Sequence, residues 1–190
     1  MGEFDGRTAI ITGGTQGLGE EVARCFAQNG ASRIVITGRN KDRGDVVCNA
    51  LSKMGCEALF VAADLRSIDG CREIVAAAQS HFDQIDHLVN CAADTRRGNI
   101  LDTSEKLLDD IFAVNFRAPF FIMQEVVRWM IEKNIEGSIV NVLSASYHCG
   151  QPFLAAYSAS KAALATLTKN TAFALLKNRI RVNGIAPGWM

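Results

Sequence analysis

Short, continuous apolar runs recur along this chain, and a helical pattern separates each from the next. The runs are Arg7–Thr12, Arg33–Thr37, Ala58–Ala63, Asp86–Ala92, Ser138–Leu143 and Ile180–Ile185. Runs that are mainly apolar, rather than apolar at every second position, suit parallel strands covered on both faces. Between them the spacing predicts helices over Gly17–Asn29, Lys41–Met54, Ile68–His81, Ser104–Lys133 and Tyr157–Leu176. The first carries Val22, Ala23, Phe26 and Ala27 on one face and stops before Gly30; the second is closed by Gly55. Only three prolines occur, and none interrupts a strand core. No repeat, linker or low-complexity segment divides the chain, so residues 1–190 read as a single α/β domain.

Composition narrows the partners. With 20 basic and 20 acidic side chains the formal charge is zero, which argues against a nucleic-acid or membrane-surface binder. The six cysteines, Cys25, Cys48, Cys56, Cys71, Cys91 and Cys149, show no Cys-x-x-Cys pairing and no metal-like spacing with the three histidines. Metal binding therefore has no support. His81 and His87 read as surface or packing residues, whereas His148, Phe153 and Leu154 are candidates for a substrate mouth. The stretch Met1–Arg7 has no apolar signal core, and no run reaches membrane-spanning length. A reduced, cytoplasmic compartment is the expectation.

The stretch Thr12–Gly19, Thr-Gly-Gly-Thr-Gln-Gly-Leu-Gly, lies between the first strand and the first helix. In that context the strand delivers the chain, glycines turn it, and the helix begins with free N–H groups and partial positive charge aimed at a phosphate. Gly13, Gly17 and Gly19 are where a side chain would block the turn or the approach of a pyrophosphate. The architecture this implies is a doubly wound Rossmann sheet, mostly parallel, with six strands, helices on both faces and a dinucleotide at its carboxyl edge. About 20 residues past the loop such folds place an acidic residue on the ribose of NAD. Here the second strand ends Thr37-Gly38-Arg39-Asn40, with no acid and an arginine at once. A guanidinium grips a ribose 2′-phosphate in two-pronged fashion; the bland alternative is a solvated loop arginine. NADP(H) is expected over NAD(H), with NAD(H) as the alternative.

The segment Tyr157-Ser158-Ala159-Ser160-Lys161 puts a phenol and an ammonium four residues apart, on one face of a helix. A phenol is a poor base at neutral pH. A neighbouring ammonium, and a cationic nicotinamide beside it, both favour the phenolate. Taken alone the pair is as readily a surface feature, but it opens the helix after the fifth strand, on the sheet edge that carries the glycine loop.

Together the Thr12–Gly19 loop, Asp64, Asn90-Cys91-Ala92-Ala93, Asn115, Ser144, Tyr157, Lys161 and Pro187-Gly188 make the chain resemble the short-chain dehydrogenase/reductase family over essentially its whole length. The resemblance implies an NADP(H)-dependent oxidoreductase interconverting a carbonyl and a secondary alcohol. Tyr157 would be the general acid/base, Ser144 would steady the substrate oxygen, and Lys161 would assist the tyrosine and hold the nicotinamide ribose. Asn115 matches the family asparagine that supports a water linking Lys161 to solvent. Thr15, Gln16, Leu18, Leu65, Pro187 and Gly188 join the three loop glycines and Arg39 as cofactor contacts. Asp64 matches a residue that touches adenine, and equally suits the N-terminal cap of the next segment. Asn90 matches an asparagine with a largely structural task beside the cofactor.

Two departures stand out. The family's usual Asn-Asn-Ala-Gly is here Asn90-Cys91-Ala92-Ala93, and the final alanine crowds a position where glycine allows close approach. The sequence also stops at Trp189-Met190, where relatives continue with a substrate-covering segment and a seventh strand. A shortened chain that binds NADP(H) but turns over weakly is the expectation, with the sixth strand left as an edge. The rival reading is a non-catalytic NADP(H)-binding redox sensor or scaffold; dehydratase or epimerase chemistry on nucleotide sugars is disfavoured by the glycine spacing. The substrate would be a small alcohol or ketone. Family relatives assemble as homotetramers or homodimers through the helices here at Ser104–Lys133 and Tyr157–Leu176, and Ile111, Phe112, Phe116, Phe120 and Phe121 suit such a face or an internal core alike.

Overall fold

The computed structural model describes residues 2–188; Met1, Trp189 and Met190 lie outside the described residues. Six strands, β1 (Thr8–Thr12), β2 (Arg33–Gly38), β3 (Glu57–Ala62), β4 (His87–Asn90), β5 (Ser138–Val142) and β6 (Arg181–Ile185), form one sheet. Their order is β3-β2-β1-β4-β5-β6, and every pairing is parallel. The chain thus winds outward one way from β1, returns, and winds out the other way from β4. That reversal opens a crevice at the carboxyl ends of β1 and β4, where open sheets of this kind bind ligands.

Alternate residues of the central strands feed two cores. Ile10, Val35 and Leu88 point to the face covered by α3 (Ile68–Phe82) and α5 (Ala118–Glu132), where Ile74, Ala78, Ile122 and Val126 are buried. Ala9, Ile11, Ile34 and Ile36 point to the other face, covered by α1 (Gly17–Gln28) and α2 (Lys41–Ser52) through Ala23, Ala27, Val47 and Leu51. Burial on both faces explains why β1 shows no polar alternation; all five of its residues are buried. The edges depart from that rule. In β6 only Val182 is buried, and β3 begins with an exposed Glu57.

Two helical expectations change in detail. The stretch expected as one helix over Ser104–Lys133 is α4 (Glu105–Phe112) and α5 joined by a π-helical turn, Ala113–Arg117. Pro119, near the start of α5, supplies a reason: it has no N–H for the carbonyl four residues back, that of Asn115. The helix expected to open at Tyr157 starts earlier, as α6 (Ala155–Ala174), and a 3₁₀ turn at Leu176–Asn178 follows it. No helix among the described residues is long and apolar enough to cross a membrane.

Candidate active site

The loop between β1 and α1 is shaped by steric need. Gly13 has φ +69°, and a Cβ there would sit 2.9 Å from the Ala92 Cα beyond β4. A Cβ on Gly19 would run into the Gly13 carbonyl group, so the first turn of α1 packs on the loop only without a side chain. Gly17 has φ +54° and open space around it, so conformation rather than crowding asks for glycine there. Gln16, the N-cap of α1, offers its helix no side-chain hydrogen bond. By contrast Asn40, Ser67 and Ser104 each cap the helix they precede, α2, α3 and α4. The free N–H groups and dipole of α1 therefore face a large cleft.

That cleft has a volume of about 1150 Å³ and runs along the carboxyl edge of the sheet. Gly13, Thr15, Gln16, Gly17, Leu18 and Gly19 line its middle. Toward β2 it is walled by Thr37, Gly38, Arg39, Asn40 and Arg43. Gly38 is tight against Thr15, whose Cγ2 would stand 2.7 Å from an added Cβ. Arg39 is exposed and makes no ion pair within the described chain; Arg43 reaches across to the Gln16 side-chain oxygen. No acidic residue occupies the end of β2 itself, where Arg39 and Arg43 bring two guanidinium groups to the cleft, with Asp64 within electrostatic reach of Arg39.

The other end gathers Ser144, Tyr157, Lys161, Pro187 and Gly188. Ser144 begins the turn that leaves β5, and its hydroxyl lies 2.9 Å from that of Ser146. The backbone of Pro187 accepts from the Ala145 N–H at 2.8 Å, which draws the segment after β6 against that turn. Lys161 is only 2 % exposed, yet its Nζ donates to a single protein acceptor, the Val142 carbonyl at 2.6 Å. Burial pulls its pKa down to about 8. The ammonium stands 5.9 Å from the centroid of the Tyr157 ring. Cys91, next to β4 in the same wall, has its thiol pushed up to about 11 by burial, so it stays protonated at neutral pH.

Two expected site residues stand behind the wall rather than in it. The Asn90 amide is buried and donates to the Asn141 side-chain oxygen at 2.9 Å, and Asn141 in turn donates to Thr168 at 2.9 Å. Asn90 thus ties β4 to β5 and α6 and does not line the cleft. Asn115, fully buried in the π turn, accepts from the Asp94 N–H at 2.7 Å and donates to the Asp94 carbonyl and to Ser160 Oγ, both at 3.0 Å. Ser160 donates to the Tyr157 carbonyl at 2.7 Å. Asn115 therefore holds the first turns of α6, and with them Tyr157, against the segment after β4. Asp64 does line the cleft but does not cap α3; Ser67 does, while Asp64 is bound by Arg66. His148, expected near the mouth, lies with its ring 3.8 Å from that of Tyr147 and tilted by 34°, and does not line the cleft. Sequence reasoning missed Arg43, Arg66 and Arg96, all of which line the cleft. No group of three His, Cys, Asp or Glu side chains that could hold a metal occurs among the described residues.

The chain belongs to the short chain dehydrogenase family, whose model matches residues 7–190. It is 38 % identical to carbonyl reductase (NADPH) 2 of Sus scrofa, over 97 % of this chain and 72 % of that protein. It is 33 % identical to glucose and ribitol dehydrogenase homolog 2 of Arabidopsis thaliana, over 98 % of this chain and 65 % of that one. Among solved structures, an NAD⁺-bound xylitol dehydrogenase superposes with a TM-score of 0.93 at 29 % identity, over 99 % of this chain and 72 % of that one. The chain thus spans about two thirds to three quarters of the length of these relatives.

Proposed function

We propose that the chain is an oxidoreductase that binds NADP(H) in the carboxyl-edge cleft and interconverts a carbonyl compound and a secondary alcohol. One observation carries this reading: the glycine loop and Ser144, Tyr157 and Lys161 all line the same cleft, although they lie more than a hundred residues apart. The cleft also fits the group chemically. Gly13 and Gly19 leave backbone space that a Cβ would fill, α1 presents uncapped N–H groups, and buried Lys161 keeps donors to spare. When bound, the nicotinamide ring would supply or accept the hydride.

The chain's own groups have separate tasks. Gly13–Gly19 and the α1 N-terminus cradle the pyrophosphate. Lys161, protonated at neutral pH, donates to the ribose hydroxyls, and its charge steadies the oxyanion Tyr157 becomes on giving up its proton. Tyr157 delivers that proton to the carbonyl oxygen during reduction and takes it back during oxidation. Ser144 donates to the same oxygen and holds it in place. Asn115 acts through Ser160 and the backbone to keep Tyr157 aimed. Arg39, with Arg43 beside it, supports NADP(H) over NAD(H), since their guanidinium groups suit a 2′-phosphate. The NADPH of the Sus scrofa relative's name agrees with this choice, and the NAD⁺ of the xylitol dehydrogenase keeps the opposite one in play.

The substrate is a small alcohol or carbonyl compound. All six cysteines are unpaired, which supports a reduced, cytoplasmic setting. A shallow groove of about 300 Å³ between α5 and α6, lined by Phe120, Met123, Val127, Leu167 and Leu175, supports a homodimer or homotetramer through that face, which light scattering would detect as a multiple of the chain mass. The catalytic reading is tested by Tyr157→Phe. The expected result is a loss of carbonyl reduction by about 10³-fold or more with NADPH affinity unchanged. Undiminished turnover in the variant would refute the assignment, and a parent that binds NADPH without turnover on any carbonyl compound would favour a sensor or scaffold.

A further inference from the structure

Ser144 leaves β5 with extended backbone, and the chain passes at once into a 3₁₀ turn, Ala145–Tyr147. That turn is tied down on both sides. The Leu143 N–H donates to the Ile185 carbonyl at 2.7 Å, and the Ala145 N–H to the Pro187 carbonyl at 2.8 Å. Tyr147 packs against the small core formed by Leu143, Leu164 and Ala165. Between these anchors sits Ser146, only 5 % exposed. Ser144 lines the cleft, and Ser146 stands behind it, out of the wall.

Ser146 meets Ser144 twice. Its N–H donates to Ser144 Oγ at 3.2 Å, and the two hydroxyl oxygens lie 2.9 Å apart. The Ser146 hydroxyl has no other hydrogen-bond partner among the described residues. A turn capped by a serine side chain accounts for the N–H contact, and alanine at position 146 would serve that turn equally well. It does not account for a hydroxyl withdrawn from water whose sole partner is a second hydroxyl. A serine hydroxyl offers one proton and two acceptor sites. When the N–H and O–H of Ser146 fill both acceptor sites, the Ser144 proton is the one group left to face the cleft. In the free chain either hydroxyl can donate to the other. A carbonyl oxygen only accepts, so its arrival selects the direction Ser146 to Ser144 to carbonyl. Hydrogen bonds running one way in such a chain polarise one another.

We propose that Ser146 is a positioning residue for the reaction: its hydroxyl donates to Ser144 and commits the Ser144 proton to the substrate oxygen. This inference rests on the reading of Ser144 as the donor to that oxygen. Ser146 itself touches no reacting atom. Its effect falls on turnover rather than on binding, because a fixed donor matters most once negative charge has grown on the oxygen. The glycine loop and Arg39, at the other parts of the cleft, do not depend on it.

The test is a double-mutant cycle on the full chain, with NADPH and the best reduced of 2,3-butanedione, cyclohexanone and acetophenone as probes. Ser146→Ala is expected to lower kcat about tenfold, with KM for the carbonyl probe and NADPH affinity within about twofold of the parent. Ser144→Ala is expected to lose about a hundredfold, and Ser146→Ala added to it costs nothing more. A residue that merely supports the turn would act whether or not Ser144 carries its hydroxyl. Undiminished kcat in Ser146→Ala overturns the inference. So does a tenfold loss that persists in the Ser144→Ala background, since Ser146 would then act by another route. Parental turnover in Ser144→Ala overturns the task given to Ser144 and this inference with it, while leaving Tyr157 and the dinucleotide cleft untouched. A parent that binds NADPH but reduces none of the three probes overturns this inference together with the catalytic reading.

Discussion

Lys161 carries a cost that its surroundings only partly offset. Burial lowers its pKa from 10.5 to about 8, while the single bond to the Val142 carbonyl holds Nζ in place. Below pH 8 the lysine is protonated in both folded and unfolded chains, and the fold bears the full cost of a buried charge. Between pH 8 and 10.5 the unfolded chain binds more protons, so this group makes stability rise with pH. Above 10.5 both states are neutral and the cost is gone. Replacing Lys161 by Met removes the charge at the expense of one unpaired carbonyl, worth about 1 kcal/mol. The ligand-free Lys161→Met variant is therefore expected to be about 2 kcal/mol more stable than the parent at pH 7. Urea unfolding measured from pH 7 to 10.5 should show that advantage shrinking. A variant less stable at pH 7, or a difference independent of pH, would show that the site does not strain Lys161. Such a cost is typical of groups placed for binding or catalysis rather than for stability.

The elements of the site depend on close approach more than on strong bonds. Gly19 and Gly17 separate two reasons for glycine within one loop. Gly19→Ala places a methyl group against the Gly13 carbonyl and pushes α1 off the loop, at an expected cost of about 1–3 kcal/mol and at least a tenfold loss of NADPH affinity. Gly17→Ala meets nothing and suffers only its left-handed backbone, about 1 kcal/mol. Denaturation and titration of both variants check the order; equal effects would mean that packing at Gly19 is not the constraint. The loop was readable in the sequence because steric need leaves glycine as its residue. The π turn was not: Ala113–Arg117 continues the apolar periodicity of its neighbours, and only Pro119 marks the change of register. The cap of α3 stayed open in the sequence for a related reason. Asp64 and Ser67 are both good capping types three residues apart, and only geometry shows that Arg66 occupies the first.

Across the whole molecule, the alternation of strand and helix was legible because both faces of β1, β2 and β4 are covered, which leaves continuous apolar runs. The edges β3 and β6 blur that signal, since their outer residues meet solvent. The glycine loop and the Tyr157–Lys161 pair could be proposed from spacing and Ser144 from the family resemblance, and the sheet order brings them into one cleft. Arg43, Arg66 and Arg96 could not, because an exposed arginine has no pattern to distinguish it from a solvated one. The inward direction of the Asn90 and Asn115 amides was equally hidden, as it depends on partners 51 and 45 residues away.

The account stands on the cleft being a nicotinamide dinucleotide site with a cationic end at Arg39 and Arg43. Fluorescence titration of the purified chain with NADPH and NADH tests that most directly. It predicts saturable binding of NADPH, with NADH at least about tenfold weaker from loss of the phosphate contacts. Equal affinities would remove the arginines as selectors, and a chain that binds neither nucleotide would contradict the central claim.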